Sequence, residues 1–255
     1  MPATPAWPPR NAPRLFVEHS LSDGAPILID GNQAHYLAKV MRITAGDTLI
    51  LCDDQTGEWS AVVSAVERRS VAVTVSRQLR EREQVPDLWL CPALLKKDRF
   101  DFVLEKATEL GVRRIAPIVT RRCVADKLNA ERAKSIVTEA AEQCARTALP
   151  ELASVVKFSQ LIQDWPADRT LFFADEMGGM DAVKAFSTHA GPAALITGPE
   201  GGFDDAEREI LLAQNNVVPI TLGPRILRGE TATMAAISLW MGVAGDWATE
   251  GKANA

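Results

Sequence analysis

Residues 196–203 read Ile-Thr-Gly-Pro-Glu-Gly-Gly-Phe, and residues 222–232 read Leu-Gly-Pro-Arg-Ile-Leu-Arg-Gly-Glu-Thr-Ala. Each stretch follows a short apolar run (Ala193 to Thr197 and Val217 to Leu222) and leads into a segment with helical spacing, so both are strand-to-helix turns. In open parallel sheets ligands bind beyond the carboxyl ends of the strands. In the first turn Gly198, Gly201 and Gly202 free the backbone for unusual dihedrals and close approach to a ligand, Pro199 stiffens it, and Asp204 and Asp205 favour the start of the next helix. In the second, Gly223-Pro224 breaks the strand, and Ile226 and Leu227 place two apolar side chains in a loop, where a flat partner such as an adenine ring would cover them. A tight structural turn is the alternative reading of the first loop. Neither loop is G-x-G-x-x-G, and G-x-x-x-x-G-K-[ST] occurs nowhere. Glu200 within the first turn would repel phosphate, so a cationic or neutral cofactor fits better than a nucleotide polyphosphate.

Around these loops the chain from Asp87 onward alternates strand and helix. Strands are expected at Leu88 to Leu95, Ile115 to Val119 and Thr170 to Ala174, and helices at Ala130 to Ala145, Asp204 to Asn215 and Glu230 to Gly245. A further helix starts at Asp98, with Asp101 completing a variant capping box; Phe102, Leu104 and Leu110 help line it, and Gly111 ends it. This alternation predicts a mostly parallel sheet covered on both faces. From Arg14 to Arg77 the pattern is different. Short β-type runs (15–17, 27–29, 48–51, 59–66 and 71–75) are separated by turn signals and interrupted by one helix, Asn32 to Met41, with Leu37, Val40 and Met41 at helical spacing. Five such strands suggest a small β-barrel. The charged stretch 78–87 is the linker expected between the two parts, which divides the chain into domains 1–82 and 83–255.

The bulk properties narrow the function classes. The chain has 255 residues, 47% of them apolar, enough for a buried core, and no apolar run approaches 18 residues, so no membrane span is expected. Met1 to Pro13 is rich in Pro and Ala and reads as a flexible arm rather than a signal peptide. Cys52, Cys91, Cys123 and Cys144 form no C-x-x-C pair, and His19, His35 and His189 are isolated, so no metal site is expected and the cytoplasm is the expected compartment. The net charge of -5 argues against a nucleic-acid partner at first, but residues 96–146 carry 12 basic and 8 acidic side chains, among them Lys96, Lys97, Arg99, Arg113, Arg114, Arg121 and Arg122. A locally positive field of this kind is compatible with RNA, although ordinary solvated cations would give the same count.

The two loops in this order resemble the SPOUT methyltransferases, specifically the RsmE family of 16S rRNA uridine-N3 methyltransferases. The likeness extends over roughly residues 14–245: His35-Tyr36-Leu37 with Val40-Met41-Arg42 and Gly46-Asp47, Leu94-Leu95-Lys96-Lys97-Asp98-Arg99, Glu105-Lys106-Ala107-Thr108-Glu109-Leu110-Gly111, and Glu139-Ala140-Ala141-Glu142-Gln143 with Arg146 and Pro150. Lys97 stands where a small residue would be expected. The resemblance implies an α/β, trefoil-knotted parallel-sheet catalytic domain preceded by a small PUA-like β-barrel that binds RNA. It also implies S-adenosylmethionine bound in the knot, a homodimer, and the 16S rRNA of the small ribosomal subunit as partner. Within it, Thr197, Gly198, Glu200, Gly201, Leu222, Gly223, Ile226, Leu227, Arg228 and Thr231 are the expected cofactor-pocket residues, Leu227 offering its backbone to the adenine. Arg228 is the expected stabiliser of negative charge on the uracil, since a guanidinium presents a fixed fork of donors; a structural salt bridge to Glu230 is its alternative. Glu200 is the expected proton acceptor or sulfonium partner, with loop organisation as its alternative. Arg14, His35, Arg42, Lys96, Lys97 and Arg99 are the expected RNA contacts. Three other readings stay open: a SPOUT enzyme acting on another rRNA or tRNA site, a non-catalytic rRNA-binding assembly protein, and an ordinary doubly wound nucleotide-binding enzyme, which the missing phosphate fingerprints oppose.

Overall fold

The computed structural model describes residues 12–189 and 191–248; of the expected Pro- and Ala-rich arm, Met1 to Asn11 lie outside the described residues. The chain divides into two compact units. One takes the chain up to Gln84 together with Ala141–Leu149, and the other takes Val85–Ala140 and the chain from Pro150 onward.

In the first unit β1 (Arg14–Phe16), β2 (Pro26–Ile29), α1 (Gly31–His35), β3 (Thr48–Cys52), β4 (Glu58–Val66) and β5 (Val71–Arg80) follow one another, and the strands form one sheet in the order β1-β3-β4-β5-β2. Only the β1–β3 pair is parallel, and among the described residues no ladder joins the edge strands β1 and β2. Alternate residues Val71, Val73 and Val75 of β5 and Ile27 and Ile29 of β2 are buried against Leu37, Leu49 and Leu51, the period-2 burial of a half-covered sheet. The expected helix over 32–41 is two pieces: α1 passes into a π-helical turn, Tyr36–Val40, and Arg42 leaves it at φ +55°. The expected linker also differs. Its first residues belong to β5, where Arg80 pairs with Glu58 and donates to the Ala145 carbonyl at 2.7 Å. Glu83 accepts from the backbone N–H groups of Thr147 (2.6 Å) and Ala148 (3.1 Å). Charge that reads as solvent-seeking in sequence here satisfies backbone groups of residues 141–149.

The second unit contains β6 (Leu88–Pro92), α2 (Lys97–Glu109), β7 (Arg114–Ile115), β8 (Ile118–Val119), α3 (Ala130–Cys144, whose last residues count with the first unit), β9 (Glu151–Leu152), β10 (Val156–Lys157), α4 (Phe158–Gln163), β11 (Thr170–Ala174), β12 (Met180–Asp181), α5 (Ala182–Thr188), β13 (Ala193–Thr197), α6 (Asp205–Leu212), β14 (Val217–Thr221) and α7 (Gly229–Val243). Seven strands form one sheet in the order β12-β14-β11-β13-β6-β7-β9, and every pairing is parallel. All five residues of β13 are buried, as expected of a central strand covered on both faces. On one face Leu171, Phe173, Ala194 and Ile196 pack with Phe158 and Leu211; on the other Phe172 meets Phe186 of α5 edge-on, ring centroids 4.9 Å apart.

Local departures have local causes. The expected strand 115–119 splits into β7 and β8 around Ala116-Pro117, β7 pairing with β6 and β8 with β10; Pro117 has no N–H to carry a ladder through. The capping box expected at Asp98 and Asp101 is absent: α2 begins after Lys96 with no side-chain cap. Asp101 instead accepts from Arg132 of α3 at 2.7 Å and from Lys97 at 3.3 Å. Gly111 does end α2 as expected. At φ +86° its N–H reaches the Thr108 carbonyl while Val112 N–H reaches Ala107, the two bonds of a Schellman motif.

One buried carboxylate makes the first unit testable. Asp53, 7% exposed, accepts from the N–H groups of Leu21, Gln55, Thr56 and Gly57 and from the Thr56 hydroxyl. Burial opposes its charge, yet the amides of Leu21, Gln55 and Thr56 and the Thr56 hydroxyl outweigh it and hold the carboxyl below its ordinary value. A folded pKa below the unfolded one gives stability that is fully present above the ordinary carboxylate value and is lost as pH falls through the folded value. Asp53→Ala is therefore expected to destabilise the protein by roughly 2–4 kcal/mol at neutral pH. The difference from wild type should shrink when denaturant unfolding is repeated below about pH 3.

Candidate active site

The adjacent strands β14, β11 and β13 end side by side, and the loops that follow them (222–228, 175–179 and 198–204) enclose a cavity of about 310 Å³. That is the lower end of the range for small-molecule sites.

Each loop is fixed from beneath. After β13, Asp204 caps α6 by accepting from Glu207 N–H at 2.7 Å, and Glu207 reaches back to Asp204 N–H in a full capping box. The Glu207 N–H and the Arg121 guanidinium, 2.9 Å away, hold the Asp204 carboxyl below its ordinary pKa. Arg122 donates to the carbonyls of Gly201 and Phe203, both at 3.1 Å. After β11, Asp175 is buried and accepts from the Arg208 Nε and from Met177 N–H, at 2.9 and 3.0 Å. After β14, the anchor is Thr233 of α7, whose hydroxyl donates to the Gly229 carbonyl at 2.8 Å and accepts from the buried Thr197 hydroxyl at 2.9 Å.

At Gly229 the loops after β13 and β14 nearly touch. A Cβ there would lie 3.0 Å from the Gly198 carbonyl oxygen and 3.0 Å from Leu95 Cδ2, in the loop after β6. Three polypeptide segments converge where only hydrogen fits comfortably. Ile226 is 85% exposed at the cavity, and the N–H groups of Ile226 and Leu227 donate to no described residue. A site of apolar side chains and unengaged backbone edges suits a flat heterocycle read without phosphate charge.

Of the residues expected from sequence, Thr197, Gly198, Leu222, Gly223, Ile226 and Leu227 line the cavity together. Glu200, Gly201, Arg228 and Thr231 are not among its lining residues. Glu200 accepts from Lys96 N–H at 3.2 Å and pairs with Arg99 at 3.6 Å; Gly201 offers its carbonyl to Arg122. Arg99 also approaches Glu230 Oε1 at 3.8 Å, and Glu230 Oε2 is buried without a described partner; the alternative Arg228–Glu230 bridge does not form. Arg228 is exposed at the N-cap of α7, where its carbonyl accepts from Ala232 N–H at 2.8 Å and its guanidinium has no hydrogen bond or ion pair to a described residue; Thr231 is exposed in the helix's first turn. Lys96 and Lys97 are exposed, Lys97 with Asp101 as partner. In the first unit His35 and Arg42 are exposed, whereas Arg14 is engaged by Glu58 at 3.4 Å and by the Glu142 carbonyl at 3.3 Å.

The loop after β11, with Asp175, Glu176 and Met177, was missed, as were Arg122 and Phe203. A usable signal existed: Asp-Glu-Met-Gly-Gly directly follows a correctly placed strand, Thr170 to Ala174, and carboxyl ends of parallel strands are where ligands bind.

Fold and site together define an RNA methyltransferase. The RNA methyltransferase domain family matches residues 81–241, and the RNA methyltransferase PUA domain family matches residues 29–76. The ribosomal RNA small subunit methyltransferase E of Bacillus subtilis is 32% identical over 243 residues, covering 88% of this chain and 94% of that protein. Its counterpart from Rickettsia conorii is 30% identical over 231 residues, covering 88% and 93%. A Legionella pneumophila methyltransferase solved with its cofactor S-adenosylmethionine superposes with a TM-score of 0.84 at 28% identity, over 92% of this chain and 99% of that one. The ribosomal RNA small subunit methyltransferase E of Neisseria gonorrhoeae, bound to S-adenosylmethionine, superposes at 0.82 and 26%, with the same coverage. The chain belongs to the ribosomal RNA small subunit methyltransferase E family. The expected fold class, a SPOUT-type parallel-sheet methyltransferase domain preceded by a PUA-like domain, holds.

Because Gly198 O is backbone and cannot swing away, Gly229→Val is expected to cost roughly 1–3 kcal/mol in thermal unfolding. Gly229→Ala, which a few tenths of an ångström of movement could accommodate, should cost less than Gly229→Val.

Proposed function

We propose that this protein transfers the methyl group of S-adenosylmethionine to N3 of one uridine in the 16S rRNA of the small ribosomal subunit. The observation that carries the reading is the cavity formed by the three strand-end loops, pinched at Gly229, with apolar side chains and unengaged N–H groups and without a phosphate-binding fingerprint. The family's name specifies the small-subunit rRNA, and two similar solved structures contain S-adenosylmethionine.

The residues present fit that cofactor. Ile226 and Leu227 supply apolar cover and backbone edges for the adenine, and Thr197, Gly198, Leu222 and Gly223 supply the walls. Gly201 and Glu200 support those walls from outside through Arg122, Lys96 and Arg99, and Thr231 stands in the first turn of α7 beside them. The cofactor supplies an electrophilic methyl group on sulfur. This chain's part is to align uracil N3 with it and to favour loss of the N3 proton; alignment alone is worth roughly 7–11 kcal/mol in a well-ordered site. As the proton leaves, negative charge spreads onto the uracil oxygens. Arg228, unpaired beside the cavity, is the donor assigned to that charge. Glu200, held by Lys96 N–H and Arg99, is assigned to organising the loop. Exposed Lys96, Lys97, His35 and Arg42 are assigned to the RNA, the first unit serving as its docking module. The domain division 1–82 and 83–255 belongs to the same proposal. So does a homodimer, which would cover the exposed Ile226, and so does the cytoplasm, where the substrate is found. No helix among the described residues is long and apolar enough to cross a membrane.

Nucleoside mass spectrometry of 16S rRNA from a deletion strain tests the proposal. 3-Methyluridine should disappear and return on complementation; an unchanged level rejects the assigned target. With purified protein, Arg228→Ala is expected to lower the methylation rate by about 100-fold or more, while calorimetry shows S-adenosylmethionine affinity within about threefold of wild type.

A further inference from the structure

The loop after β11 contains two consecutive carboxylates in different states. Asp175 is buried and committed: Arg208 and Met177 N–H occupy its oxygens, and its own N–H donates to the Ile220 carbonyl at 3.1 Å. These bonds tie the loop to β14 and α6 and make it a rigid stalk. Glu176, the next residue, lines the cavity and is exposed, and its carboxylate has no hydrogen bond or ion pair with any described residue.

Glu176 is also closely seated. Its Oε1 lies 2.9 Å from where a Cβ on Gly202 would stand, and Gly202 itself sits at φ +68°. The last glycine of the Gly-Pro-Glu-Gly-Gly turn is thus needed twice, for its left-handed backbone and for the room it leaves a carboxylate from the neighbouring loop. An acceptor-only group with both oxygens unengaged, on an anchored stalk, faces a cavity whose identified donors are mostly backbone N–H groups and committed arginines.

The geometry points to Glu176 as the residue that binds the ribose of the cofactor, its two oxygens accepting from the 2′- and 3′-hydroxyls. This inference rests on the S-adenosylmethionine reading above and adds a residue and a sub-site to it. A vicinal diol presents two neighbouring O–H donors, and an ionised carboxylate has two oxygens that only accept. Hydrogen bonds to an ionised acceptor are the stronger kind. The sulfonium sulfur has no hydrogen to donate. In dinucleotide-binding parallel sheets, an acidic side chain plays the same part toward a ribose hydroxyl. The amino group of the methionine portion and the 6-amino group of the adenine are the other donors the cofactor could offer to Glu176; the first is separated by a ligand without the amino-acid end, the second by ligands without the ribose hydroxyls.

Titration calorimetry on the full chain compares S-adenosylmethionine with 5′-methylthioadenosine, which keeps adenine and ribose but lacks the amino-acid end and the charge on sulfur. Wild-type protein that binds neither ligand rejects the cofactor reading itself. Given wild-type binding, Glu176→Ala is expected to weaken both ligands by the same factor, about tenfold or more. A loss confined to S-adenosylmethionine puts Glu176 at the amino-acid end and overturns the assignment, as does no loss for either ligand. The 2′-deoxy and 3′-deoxy forms of 5′-methylthioadenosine close the cycle. Wild type should bind them about tenfold more weakly than the parent compound, whereas Glu176→Ala should bind all three alike. Discrimination that survives in the variant overturns the assignment even if Glu176→Ala lowers affinity generally.

Discussion

The site depends on one close approach. The loops after β13 and β14 meet where a Gly229 Cβ would stand 3.0 Å from the Gly198 carbonyl, with Leu95 closing the third side. Strand order makes that meeting possible: β13 and β14 flank β11, so their carboxyl ends stand one strand apart and their loops must converge over it. The Thr197–Thr233–Gly229 hydrogen-bond chain then holds the start of α7 against the end of β13. A cavity assembled from backbone in this way has well-placed N–H and C=O groups between the few charged side chains that also line it, Arg122, Glu176, Arg208 and Arg225 among them. That suits a ligand recognised by its shape and its edges.

Charged groups around the cavity divide by whether the protein already occupies them. Arg121 with Asp204, Arg122 with the Gly201 and Phe203 carbonyls, and Arg208 with Asp175 hold loops in place, and Arg99 lies between Glu200 and Glu230. Half-exposed ion pairs of this kind contribute little to global stability, but each joins two segments that must stay in register. Glu176, Arg225 and Arg228 at these loops, with Asp205 at the start of α6, are the charged side chains around the cavity without a described hydrogen-bond or ion-pair partner. A group left ionised and uncommitted beside a cavity is available to a ligand, whereas one engaged by the loops is positioning them. This distinction separates Glu200 from Arg228, for each of which the sequence offers both a chemical and a structural role.

Much of the architecture was legible because glycine, proline and alternating apolar runs act locally. The strands 170–174 and 193–197 and the Gly111 helix stop follow from sterics within a few residues, and so do the two glycine-rich turns that line the cavity. The parts that were illegible are those where a distant partner decides. Asp101 looks like a capping residue until Arg132, 31 positions away, takes its carboxylate. Glu83 looks like linker charge until Thr147 N–H meets it. Asp175 and Glu176 have ordinary surface composition, and only the pairing of Asp175 with Arg208, 33 positions on, makes the first buried and leaves the second in the cavity. Ion pairs between sequence-distant residues leave no periodicity, so pattern reading sees their members as solvated charge.

The same accounting changes what the basic middle of the chain means for RNA. Residues 96–146 hold 12 of the 28 cations, but Arg99, Arg113, Arg114, Arg121 and Arg132 are paired with carboxylates, and Arg122 is engaged by backbone carbonyls. A cation balanced by an adjacent carboxylate adds little to the distant field, and phosphate attraction follows the uncompensated charge. In the catalytic unit that charge includes Lys96, Arg225 and Arg228, none of which has a described charged partner. Arg225 lines the cavity, Arg228 caps the helix that begins there, and Lys96 shares its backbone N–H with the Glu200 turn. Three uncompensated cations therefore stand at or beside the loops around the cavity, with Glu176 as an uncompensated anion among them. An acidic protein with a net charge of -5 can then draw a polyanion to one place while repelling it elsewhere, which favours an encounter with the RNA already oriented toward the site.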